Sequence, residues 1–160
     1  MLGILKSWPG QTISKELRLI LHQIQENLFI VQSHVANIML NEKFKVPEFS
    51  SKGGSLSADR RGASGGKNSK VKEIEKIIDA IEQKLPPLKK FVISGTNQTS
   101  AWLDLLRAKS RNVERSVLRI KKIDKLSPDI KVYLNRLSSL LFALARDEAG
   151  NKKEKNPSYK

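Results

Sequence analysis

Arg107, Arg111 and Arg115 recur every four residues, and Glu114 follows Arg111 by three. On a helix that turns about 100° per residue, such positions stack along one strip. Planar guanidinium forks suit phosphate oxygens, which they bind with charge-assisted and often paired hydrogen bonds. A carboxylate within that row can fix a guanidinium, or hold a nucleotide group or a divalent cation. A second set, Asn135, Ser139, Phe142 and Arg146, repeats at three- and four-residue intervals further along. Arginines four apart on one helix can face one polyanion. The plainer alternative is a set of salt-bridged surface groups.

The elements that must position these residues are legible as helices. Ser100 to Lys121 carries Leu103, Leu106, Val113, Val117 and Ile120 as one apolar face. Arg107 and Glu114 then fall at the border of that face, with Arg111 and Arg115 further round. Ser127-Pro128 reads as an N-cap followed by proline at the first helical position. The helix it opens has a core face of Ile130, Leu134, Leu137, Leu141 and Leu144, and is expected to run to Arg146. Upstream, Leu17, Leu21, Ile24, Leu28, Val31, Val35 and Ile38 give a long amphipathic helix from about Ser14 to Leu40. Their near-heptad spacing suits a bundle core as well as a coiled-coil seam. Val71 to Leu85 forms another helix, ended by Pro86-Pro87, with Glu73 and Lys76 as a surface pair. The fold expected is an all-α, up-down bundle of four main helices. It spans 14–146, between an irregular segment at 1–13, where Trp8-Pro9-Gly10 reads as a turn, and a frayed tail at 147–160.

These residues resemble a known family. Arg107 to Arg115, followed by Tyr133-Leu134-Asn135-Arg136-Leu137 and on through Phe142 to Arg146, are similar to the paired helices of the helical-bundle ATP:cob(I)alamin adenosyltransferases. Those carry Arg-x-x-x-Arg-Arg-x-Glu-Arg and then Leu-Asn-Arg-Leu-Ser-Asp-x-Leu-Phe-x-Leu-Ala-Arg. Leu85-Pro86-Pro87-Leu88 and the turn from Phe91 to Thr96 match upstream family motifs, and Gln23 to Phe29 does so more weakly. The resemblance implies transfer of the 5′-deoxyadenosyl group of ATP to reduced cobalamin, with Mg²⁺, in a homotrimer whose nucleotide site lies between subunits. It implies catalytic roles for Arg107 and Arg111. It places the nucleotide against Arg111, Asn112, Glu114, Arg115 and Asn135, and the corrinoid against Phe91 and Ser139. Asn112 stands where the family has Arg, Ser139 where it has Asp, and Thr96-Asn97 where it has paired glycines. The family's N-terminal phosphate loop and first helix find no counterpart in these residues, so an uncovered apolar groove is expected. A non-catalytic ATP- or corrinoid-binding relative is the second reading.

Composition bounds the rest. The chain has 160 residues, 39% hydrophobic and only 6% aromatic, which suits one leucine-rich helical domain. It has no cysteine, hence no disulfide, thiolate metal site or cysteine nucleophile. His22 and His34 lie twelve residues apart, too far to share a helical turn, and no metal site is expected of them. No apolar run approaches the ~18 residues of a membrane span, and the first residues lack a signal-peptide core. A cytoplasmic protein is expected. A net charge of +14 favours an anionic partner, and a basic helical nucleic-acid-binding protein is the reading from another class. Much of that charge falls in Phe49 to Lys70, which is rich in Ser and Gly and reads as a flexible basic loop. Its Gly62 to Asn68 is no P-loop: Arg61 occupies the first glycine position, and Asn68 follows the lysine instead of Ser or Thr.

Overall fold

The computed structural model describes residues 2–3, 13–41, 45–49, 69–88 and 92–150. The Trp8 turn, most of the basic loop with its Gly62–Asn68 stretch, Phe91 and the tail from 151 lie outside them. The described residues form four helices and no strand: α1 Lys15–Leu40, α2 Lys70–Glu82, α3 Gln98–Leu118 and α4 Pro128–Ala149. A short 3₁₀ turn, Ile123–Lys125, joins the last two.

Each start has a local cause. The Ser14 side chain accepts from Leu17 N at 3.0 Å, and Ser69 caps α2 by accepting from Val71 N. Asn97 and Ser100 form a reciprocal capping box at the head of α3. At α4, Ser127 makes no side-chain cap bond. Its carbonyl accepts from Ile130 N, and Pro128 supplies the preset helical geometry. Helix α1 closes on Asn41, in the left-handed region at φ 54°. Helix α2 ends at Glu82, three residues before the expected stop. Lys84 N and Leu85 N there bond to carbonyls three residues back, and the chain turns into Pro86. Helix α4 runs three residues past Arg146, to Ala149.

Helix α4 is the central element. It buries more residues than any other helix and packs backbone-close against both α2 and α3. Ala143, Ala145, Ala149 and Ser138 among its buried residues explain that approach, because interhelical distance follows the size of the contacting side chains. Helix α1 docks through Leu17, Leu21, Ile24 and Val31, all buried. Glu73 accepts from Gln23 Nε2 at 2.9 Å, so it ties α2 to α1 instead of forming only a surface pair on its own helix. Arg136 on α4 reaches Glu75 on α2 at 3.6 Å. Tyr133 is fully buried, its ring edge-on to Phe49 at 5.1 Å. Burial pushes its phenol up to about 12, with Glu73 adding to that and Asn27 opposing it. Phe49, the first residue of the expected basic loop, and Ser69, just before its end at Lys70, are themselves buried.

The α3 core face differs from the sequence expectation. Its buried line is Leu103, Leu106, Ser110, Glu114 and Val117, whereas Val113 is 48% exposed. Val113 instead edges an apolar groove with Leu2, Leu28, Leu106, Leu134 and Leu141. Among the described residues no helix is long and apolar enough to cross a membrane.

This revised face sets a stability order. Leu103→Ala removes a side chain with no exposure and should cost about 2–5 kcal/mol, while Val113→Ala should cost under about 1 kcal/mol. Denaturant titration of the two variants measures the difference; equal losses would restore Val113 to the core.

Candidate functional site

The seam between α3 and α4 brings together most of the residues singled out by type and spacing. Its centre is Glu114, only 6% exposed. One carboxylate oxygen accepts from Arg111 Nη1 at 2.7 Å, and the other accepts from Asn135 Nδ2 at 2.8 Å. Leu106, Ser110 and Val117 place Glu114 in the interior by continuing the same buried line. The hydroxyl of Ser110 donates back to the Arg107 carbonyl, which suits a small polar residue inside a helix contact. A buried carboxylate without partners would be strongly unfavourable, so the two donors are a condition of its position. The carboxylate was expected at the border of the apolar face; it sits within it because one oxygen is satisfied by Arg111 on its own helix and the other by Asn135 across the seam.

Arg111 is half-exposed, and Glu114 fixes the direction of its guanidinium. Asn112 and Arg115 lie on the exposed side of α3, beside this cluster in sequence. Ser139 is half-buried on α4, one turn after Asn135. Arg107 takes a different partner: its guanidinium lies 4.7 Å from the centre of the Phe142 ring, a cation–π contact. Arg146, placed by sequence on the outer strip of α4, is buried. It donates from Nη2 to the Pro86 carbonyl at 2.8 Å and lies 6.0 Å from the same ring. Nothing in local hydropathy marks an arginine as buried; the alanines at 143 and 145 were the available signal of tight packing.

The connection between α2 and α3 closes one end of the seam. Gly95 takes φ 86°, a backbone state that favours glycine, and its N–H donates to Asp104 Oδ2 at 3.1 Å. Asn97 Nδ2 donates to the Glu148 carbonyl at 2.6 Å. Between this connection and α4 lies a cleft of about 40 Å³, bordered by Ile93, Asp104, Arg107, Phe142 and Arg146.

Both oxygens of Glu114 are engaged, and among the described residues no three His, Cys, Asp or Glu gather as a metal site. His22 faces Glu26 at 3.4 Å along α1, and His34 Nε2 pairs with the Pro47 carbonyl at 3.0 Å.

The geometry predicts that Glu114→Gln destabilises the protein despite its equal size. One amide edge must then face a donor from Arg111 or Asn135. A buried unsatisfied pairing of this kind costs about 1–3 kcal/mol. Chemical denaturation should record that loss with helicity retained, and an unchanged midpoint would mean that water replaces the carboxylate's role.

Comparison with known proteins locates this arrangement. Residues 1–148 match the family model described as cobalamin adenosyltransferase. A corrinoid adenosyltransferase of Citrobacter freundii is 30% identical over 143 residues, covering 87% of this chain and 69% of that protein. That of Bacillus subtilis is 37% identical over 76 residues, covering 48% of this chain and 39% of the relative. The enzyme of Mus musculus is 34% identical over 90 residues, covering 56% and 38%. The chain thus spans well under half the length of several relatives it matches. Among solved structures, it resembles a variant of a PduO-type ATP:corrinoid adenosyltransferase from Lactobacillus reuteri complexed with cobalamin and ATP. The TM-score is 0.67 at 24% identity, over 99% of this chain and 77% of that one, a likeness of fold. The chain belongs to the cobalamin adenosyltransferase family.

Proposed function

We propose that this protein is an ATP-dependent corrinoid adenosyltransferase, moving the 5′-deoxyadenosyl group of ATP to reduced cobalamin. The observation that carries this reading is the Glu114 carboxylate holding Arg111 and Asn135 together across the α3–α4 seam. In the reaction the cobalt's electron pair attacks C5′, the C5′–O5′ bond breaks, and triphosphate departs. The corrinoid supplies the nucleophile. The chain's own residues bind, orient and neutralise.

Arg111 offers its outward N–H groups to the triphosphate, whose negative charge is present before and after bond cleavage. Arg115 and Asn112 extend that surface along α3, and Asn135 meets the nucleotide from α4. Arg107, held over Phe142, stands at the junction of the nucleotide and corrinoid seats. Ser139 borders the corrinoid, and the family resemblance gives Phe91, outside the described residues, the same role. Asn112 in place of the family's arginine offers a neutral amide, which leaves Arg111 and Arg115 with a larger share of the phosphate charge.

The working assembly in this reading is a homotrimer, with the nucleotide site completed by a neighbouring copy. Its support on this chain is exposed apolar surface: Leu19, Phe29, Met39 and Leu40 on α1, and Leu118 on α3. Sedimentation should give a trimer, and a monomer at tens of micromolar, roughly the concentration at which weak interfaces assemble, would remove the composite site.

The central test is ATP affinity by calorimetry. Arg111→Ala should lose about ten- to a hundredfold, as expected when a charged hydrogen bond is removed. Arg111→Lys should recover only part, because an ammonium cannot reproduce the planar fork. Arg119→Ala makes the same charge change at the C-terminal cap of α3, away from the Glu114 cluster, and should lose little. Equal losses for Arg111→Ala and Arg119→Ala, with a steep dependence on salt, would favour a general polyanion or nucleic-acid surface instead.

A further inference from the structure

Arg146 is a buried cation that the proposed chemistry leaves without a role. It sits in the last turn of α4, 8% exposed, at a place where two parts of the molecule meet. Through Nη2 it holds the Pro86 carbonyl, where the chain leaves the end of α2. Its guanidinium also lies against Phe142, whose ring contacts Arg107 more closely. Phe142 is thus flanked by two guanidiniums, one from the phosphate-facing row of α3 and one attached to the α2–α3 connection. The far end of that connection is tied to the same stretch of α4, through Asn97 to the Glu148 carbonyl. The connection borders the cleft beside Arg107.

We propose that Arg146 is a positioning residue for the second substrate. It holds the α2–α3 connection and Phe142 in the register that forms the corrinoid-facing wall beside the nucleotide. This inference rests on the adenosyltransferase reading and adds to it a group that touches neither substrate. Two physical features support a specific role over simple packing. A buried arginine carries a desolvation cost that an apolar side chain of similar length avoids. Its hydrogen bond also goes to the carbonyl of a proline at the start of a connection, so it ties that end of the connection to α4.

The test separates the two substrates. Arg146→Met keeps the stem's bulk and removes every donor, and Arg146→Lys keeps one donor without the planar fork. In steady-state assays of the full chain, Arg146→Met should raise KM for reduced cobalamin about tenfold or more, the effect of losing a charged hydrogen bond. KM for ATP, and ATP affinity measured without corrinoid, should stay within about twofold. Arg146→Lys should restore part of the corrinoid KM. Tyr133→Phe alters a buried polar group on the opposite side of α4, next to α1 and α2, and should leave the ratio of the two KM values unchanged. A parallel rise in both KM values, or a corrinoid KM that does not move, overturns the positioning role. Should Arg146→Met not fold, the Arg146→Lys ratio decides alone. Failure of the unsubstituted protein to bind ATP or to form the cobalt–carbon product overturns the adenosyltransferase reading itself, and this inference with it.

Discussion

Helix α4 must be buried on several sides at once, and the rest of the molecule follows from that constraint. Its leucines and isoleucine supply the apolar mass, and its alanines and serine let α2 and α3 come close. A helix enclosed to this degree cannot leave its polar groups to water. Several of its polar side chains find a partner on a neighbouring element, and an unpartnered buried one costs more than a typical hydrogen bond contributes. Arg146 meets Pro86, Arg136 meets Glu75, and Asn135 meets Glu114. These bonds come from three different parts of the chain, so the polar satisfaction of α4 also fixes where α2, the α2–α3 connection and α3 must lie.

The same constraint explains why the candidate site is on a seam instead of an open face. A carboxylate on the exposed side of α3 would hold its arginine loosely and be screened by solvent. Buried at the seam, Glu114 is shared between two helices, and the direction of the half-exposed Arg111 is set before any ligand arrives. Preorganised donors of this kind need little rearrangement to meet a polyanion. Phe142 plays a comparable part further along, giving Arg107 a defined surface to lie on where the described residues give it no carboxylate.

Much of this architecture was legible in the sequence. The leucine and isoleucine periodicity of α4, the Ser127-Pro128 start and the near-heptad face of α1 correspond to observed helices, because long amphipathic periods are dictated by burial. The ends were less legible. Helix α2 stops at Glu82, since its last turn tightens before the prolines, and α4 continues to Ala149 until Gly150 takes a positive φ. The larger departure is on α3. A reading by hydropathy assigns Val113 to the core because it is apolar, and passes over Ser110 and Glu114 because they are not. The spacing 106, 110, 114, 117 was present all along, but a carboxylate there needs a donor for its second oxygen besides the Arg111 of its own helix. Asn135 supplies that donor from 21 residues away, and no local window contains both. The burial of Arg146 was hidden for the same reason, its partner lying 60 residues upstream.

The bond between Asn135 and Glu114 has a directional consequence. An ionised carboxylate can only accept, so Asn135 has to turn its amide nitrogen inward, and its carbonyl oxygen is left facing out. The rim of the seam therefore presents a mixed polarity: N–H donors from Arg111 on one side and a lone acceptor from Asn135 on the other. A simple polyanion complements only the first half of that pattern. A molecule that is anionic at one end and carries hydroxyl or amino hydrogens at the other complements both, and it can seat in only one orientation.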